Sequence, residues 1–144
     1  MPAAALRTRE RPAQGHALSA AFRIHTKNVK TPRATEFLRA LDRRVQGPLI
    51  VVMDRLNVHR AAAKRWLAGR PADAPRAVVE WLPAYAPELN PAEQLWNHGK
   101  RAHLANHAPA DRDDLRGHVR RSLTRQRRRP NLLASFFDHA GLPL

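Results

Sequence analysis

Two carboxylates are set apart by where they fall in the chain. An apolar run, Leu49-Ile50-Val51-Val52-Met53, ends abruptly on Asp54. Further along, Asn90-Pro91-Ala92-Glu93 reads as a helix start. Asn90 is a good N-cap, Pro91 takes the first helical position, and Glu93 falls in the first turn. A carboxylate at a strand end and another at a helix start are what a two-metal phosphoryl-transfer site needs. Mg²⁺ prefers carboxylate oxygens and retained waters to His or Cys. Each residue also has a plainer reading. Asp54 can be a turn residue closing a strand, and Glu93 is the third residue of a capping box on Asn90.

The elements that must position these groups follow from hydrophobic period and breakers. Residues 1–17 read as a basic, disordered or poorly packed arm, broken by Pro2, Pro12 and Gly15. Leu18, Ala20, Phe22 and Ile24 alternate as in a strand. Thr31-Pro32 can cap a helix carrying Phe37, Leu38, Leu41 and Val45, ending near Gly47-Pro48. Leu49–Met53 has the continuous apolar character of a strand buried on both faces. His59–Ala68 predicts a short helix with Trp66 and Leu67 inward, stopped by Gly69 and Pro71. Ala77-Val78-Val79 predicts another short strand. Pro83, Pro87 and Pro91 hold an extended loop before the Glu93 helix. Asp111–Arg128 is amphipathic, with Leu115, Val119 and Leu123 on one side and Arg112, Arg116 and Arg120 on another. Leu132–Phe137 is a last apolar segment. Strands alternating with helices imply an α/β layer structure in one domain.

Charge narrows the partners. The 144 residues hold 26 Lys+Arg against 12 Asp+Glu, a net charge of +14. Only Lys27, Lys30, Lys64 and Lys100 are lysines, and Arg is the side chain that grips phosphate bidentately. A polyanion is the implied partner, and nucleic acid the first choice. Residues 100–129 alone hold ten basic and three acidic side chains, which favours phosphate contact there over a merely solvated face. Absence of Cys excludes disulfides, thiolate zinc sites and a Cys nucleophile, and suits a reducing cytosol. No apolar run is long enough for a membrane span. His98, His103 and His107 fall on one predicted helix; lacking nearby Cys or acids, they read as facing solvent or DNA rather than a metal.

Two stretches, Asp54-Arg55-Leu56-Asn57-Val58-His59 and Leu82-Pro83-Ala84-Tyr85-Ala86-Pro87-Glu88-Leu89-Asn90-Pro91-Ala92-Glu93-Gln94-Leu95-Trp96, together resemble the catalytic core of transposases of the bacterial IS630 and eukaryotic Tc1/mariner superfamily. The resemblance covers roughly residues 18 to 140. It implies an RNase H-like fold, a mixed sheet flanked by helices, with a DDE or DDD triad that binds Mg²⁺ or Mn²⁺. The family's second acid then matches Asp54 and its third matches Glu93, with 38 residues between them. His59 and Asn90 would support these acids, although His59 reads equally well as a packing residue. Arg55 stands where the family often has Asn.

The family's first Asp has no clear counterpart. The 53 residues before Asp54 hold only Glu10, Glu36 and Asp42. Glu10 lies in the basic arm and the others on a predicted helix. The expectation is therefore residues 18–144 as a partial DDE domain, truncated at its N-terminal edge and inactive alone. The implied function is Mg-dependent DNA strand transfer, completed by an upstream transposase fragment. A homodimer is possible at the open sheet edge. Arg55, Lys100, Arg101, Arg112, Arg116, Arg120 and Arg121 are the expected DNA contacts. The implied setting is a bacterial cytoplasm, at the nucleoid. The alternative is a non-catalytic, basic DNA-binding remnant.

Overall fold

The computed structural model describes residues 3–11, 15–45 and 47–142. In chain order the elements are β1 (Ala3–Arg11), β2 (Gly15–Arg23), α1 (Thr31–Arg44), β3 (Leu49–Met53), α2 (Asn57–Ala68), β4 (Ala77–Trp81), α3 (Pro91–Gly99), α4 (Arg112–Arg127) and α5 (Pro130–His139). A 3-10 turn spans Pro87–Leu89, and a π-helical stretch, Lys100–Leu104, continues α3. The chain divides into two compact units. The first is 25–86; the second joins the described residues up to 24 with those from 87 onward.

The first unit is a strand–helix–strand crossover with α1 added. β3 and β4 pair in parallel, Leu49 opposite Ala77 through Met53 opposite Trp81. Parallel strands require such a crossover, and α2 provides it. Leu49, Val51, Met53, Ala77 and Val79 pack against Ala34, Leu38, Ala62 and Trp66 of the two helices. β3 is not buried on both faces as its composition suggests. Ile50 is 70% and Val52 50% exposed, because both helices cover the same side. On α2, Trp66 is inward at 1% exposure but Leu67 faces out. One helical step is about 100°, so neighbouring residues cannot share a narrow buried stripe. Thr31 does not cap α1. Lys30 is the N-cap without a side-chain hydrogen bond, and the Thr31 carbonyl accepts from Thr35 Oγ1 at 2.8 Å.

In the second unit β1 and β2 form an antiparallel hairpin, Ala3 opposite Arg23 through Arg11 opposite Gly15. Much of the segment read as an arm over 1–17 is therefore strand; its residues 1–2 and 12–14 lie outside the described residues. Ala20 of β2, with Leu18 and Phe22 on the same face, packs on Leu95, Leu123, Leu133 and Phe136 from α3, α4 and α5. The inward stripe of α4 begins one turn later than expected. Leu115 is 41% exposed, while Ser122, Leu123 and Gln126 are buried. The α/β class holds, with a small parallel sheet. The strands form two separate two-stranded sheets, not one mixed sheet. Each sheet has its own helices and its own core. Among the described residues, no helix is long and apolar enough to cross a membrane.

Candidate functional site

Asp54 follows the last residue of β3, and the chain turns there into α2. Its Oδ1 accepts from Leu56 N–H at 3.2 Å and from His59 Nδ1–H in the first turn of α2. Oδ1 is thus fixed from two sides, while Oδ2 has no partner among the described residues. Both side chains are about one-third exposed (31% for His59, 37% for Asp54), so the carboxylate is oriented yet reachable. Arg55, next in sequence, is exposed.

Glu93 belongs to the second unit. Asn90 caps α3, its side-chain oxygen accepting from Ala92 N–H at 3.1 Å. The Asn90 N–H goes to the Pro87 carbonyl at 3.1 Å, inside the 3-10 turn. The second half of a capping box, Glu93 reaching back to that N–H, is therefore not made. Glu93 is half-buried, and its carboxylate takes no partner among the described residues. The plainer capping reading of Glu93 thus loses its hydrogen bond. Tyr85, at the tip of the proline loop, is fully exposed and adopts φ 59°, an uncommon left-handed conformation for a residue of its bulk.

The other acids before Asp54 differ from it. Asp42 on α1 is bound on both oxygens. Arg70 Nε and Trp66 Nε1 donate to Oδ2 at 2.8 and 2.9 Å, and Arg70 Nη2 donates to Oδ1 at 2.9 Å. The Arg70 guanidinium holds the Asp42 carboxyl below the usual carboxylate range. Asp42 is a structural clamp. Glu36 is exposed on the same helix.

Lys100, Arg101, Arg112, Arg116, Arg120 and Arg121 are all exposed. Arg112, Arg116 and Arg120 recur every four residues, so they share one face of α4. Arg121 and Arg125 line a cleft of about 300 Å³ with His103, His118, Ser122 and Ala102.

A model of the DDE superfamily endonuclease family matches residues 15–116, well over half of the chain. The chain belongs to that family. Comparison with curated proteins finds no match, and comparison with solved structures finds none. Membership makes this a transposase-like DDE domain of a nuclease family that generally uses divalent metal ions. Asp54 and Glu93 both lie within the matched span.

Three histidines do not face solvent as expected. The π-helical stretch changes the helical register. In an α-helix, residues five apart point about 140° away from each other; a π turn brings them over one another. His98 and His103 accordingly meet edge to face, ring centroids 5.8 Å apart, and His98 also packs on Phe136. His103 Nδ1 and Ser122 Oγ share a hydrogen bond at 3.0 Å, and Gln126 Nε2 donates to that Oγ at 3.2 Å. Burial, and then the neighbouring Arg125, push the His103 pKa down. His107 stacks on His118 with centroids 3.4 Å apart, beside Asp114. The acid beside His107 comes from the next helix, as Asp114, and is unrelated to the family's first Asp. Asp114 and His118, four apart at the start of an amphipathic helix, were the available signal.

Proposed function

We propose that this chain carries two of the three metal-binding carboxylates of an RNase H-like domain of the IS630 and Tc1/mariner type, and that it acts on DNA phosphodiesters. The observation that carries the reading is Asp54: a strand-end carboxylate with one oxygen fixed and the other open. Asp54 Oδ2 and the Glu93 carboxylate are hard oxygen donors without a partner among the described residues, the kind of donor that suits Mg²⁺ or Mn²⁺. When bound, such an ion supplies Lewis acidity toward the phosphodiester. His59 holds the Asp54 carboxylate in one orientation, and Asn90 fixes the helix start that presents Glu93. The Arg112, Arg116 and Arg120 row grips backbone phosphates, so binding is sequence-tolerant.

Asp42 is committed to Arg70 and Trp66 and is not the third carboxylate; an upstream transposase fragment is the proposed source of it. That same commitment favours the second reading, a DNA-binding remnant without catalysis. Plasmid nicking separates the two. The isolated chain with Mg²⁺ or Mn²⁺ should leave supercoiled DNA intact. Adding the polypeptide encoded immediately upstream should produce nicks, and Asp54→Ala or Glu93→Ala should abolish them. Nicking by the isolated chain, or nicking that survives both substitutions, overturns the proposal; intact DNA in every mixture selects the remnant.

A further inference from the structure

The start of α4 is built around Asp114. Asp111 Oδ1 accepts from Asp114 N–H at 2.8 Å, and Asp114 Oδ2 accepts from Ala110 N–H at 3.1 Å. The second bond is the main reason the Asp114 carboxyl sits below the ordinary carboxylate range. An ionised group is thereby locked at the helix entrance. One turn on, His118 Nδ1 lies 3.2 Å from Asp114 Oδ1. From the preceding loop, tied by His107 N–H to the Leu104 carbonyl, His107 Nε2 lies 3.2 Å from Asp114 Oδ2. One donor atom from each of the three side chains falls within 4.8 Å of the others.

We propose that His107, Asp114 and His118 form a binding site for a borderline divalent transition metal such as Zn²⁺, with the fourth position left to water. Three observations carry this. The donor set is two imidazole nitrogens and one carboxylate oxygen, which suits Zn²⁺, Ni²⁺ or Cu²⁺ and not Mg²⁺. Tetrahedral bonds of about 2.0–2.1 Å place adjacent ligand atoms about 3.3 Å apart; each imidazole nitrogen lies 3.2 Å from an Asp114 oxygen, His118 Nδ1 from Oδ1 and His107 Nε2 from Oδ2. Finally, His107 Nε2 is shielded from solvent yet makes no hydrogen bond, despite the carboxylate oxygen beside it. An ion pair would aim its N–H at that oxygen. Ligands to a common ion aim past each other, at a shared point.

Arg121 is the competing group. Its Nη2 donates to His118 Nδ1 at 2.9 Å, so that nitrogen carries a lone pair. No proton then lies between that nitrogen and the Asp114 oxygen 3.2 Å away, an arrangement a cation relieves. Arg121 is exposed, so its guanidinium can swing out as metal binds. The site shares no residue with Asp54 or Glu93 and does not depend on their role.

Co²⁺ titration of the full chain tests this. A saturable visible band of tetrahedral Co²⁺ at one equivalent, displaced by Zn²⁺, is the expected result. His107→Ala and His118→Ala should each remove the band, whereas His139→Ala should keep it. Arg121→Ala should tighten Co²⁺ binding by removing the competing donor. X-ray absorption of the Zn²⁺-loaded wild-type chain needs no variant to fold, and should show two imidazoles and an oxygen at about 2.0 Å. No saturable band, a band indifferent to both histidine substitutions, or a single-imidazole spectrum would overturn the proposal.

Discussion

Arg70 removes Asp42 from the carboxylates free to bind a cation, and makes it a stabilising residue instead. Its guanidinium grips both Asp42 oxygens, donates to the Pro75 carbonyl at 2.7 Å, and lies 5.5 Å from the Trp66 ring centre. The sign of the pH dependence follows. The folded-state pKa of Asp42 is lowered, so its contribution is present above the ordinary carboxylate pKa and is lost as pH falls through the lower, folded value. Asp42→Ala should remove that part of the acid limb of the stability–pH curve. It also strands the indole N–H of Trp66, a side chain only 1% exposed, at a cost of about 1–3 kcal/mol. Denaturant melts at neutral and acid pH check both: an equal loss at each pH would show that Asp42 stabilises only by shape. Trp66 was legible as core from its position in a short apolar helix. Its tie to Asp42 was not, because 23 residues separate them and no local pattern predicts the pairing.

The close approach of α3 and α4 rests on Gly99. A Cβ there would lie 2.9 Å from Gln126 Nε2 and 3.1 Å from Ser122 Oγ. Ordinarily Gly→Ala in a helix gains about 1 kcal/mol. Here Gln126 is fully buried and has little room to yield, so overpacking decides the sign. Gly99→Ala should cost about 1–3 kcal/mol by chemical denaturation, and a gain in stability would contradict the packing. Element positions were largely readable from sequence: α1 to α4 and the β2, β3 and β4 strands follow apolar period, prolines and glycines, whereas α5 read only as an apolar segment. The faces were less so. Ile50 and Val52 read as buried because β-branched runs do not reveal how many sides are covered. The π turn was invisible, since no residue type marks it, and with it went the true surroundings of His98, His103 and His107. The strand-end place of Asp54 and the first-turn place of Glu93 were readable from chain position, but the hydrogen bond of His59 could not be told from packing.

At the scale of the molecule, charge governs the proposed DNA contact. Replacing Arg112, Arg116 and Arg120 together by Ala should make the dependence of log affinity on log salt shallower by about 2.7, at about 0.9 per phosphate contact. Fluorescence anisotropy on two unrelated duplexes checks this, and an unchanged slope would place the contact elsewhere. The division into units has a different consequence, one of timing. The first unit is contiguous in the chain, and its strand–helix–strand contacts are available as soon as β4 has been made. The second is split: the β2 face that packs on Leu95, Leu123 and Leu133 is synthesised before its partners. At about 5–20 residues per second, Ile24 leaves the ribosome roughly 5–20 s before Leu133 does. For that interval Leu18, Ala20 and Phe22 present a bare apolar strand face to whatever else is in solution, while the segment between them and their partners is already folding. The nascent chain is therefore most exposed to mispairing and chaperone capture at its beginning, and least in its middle.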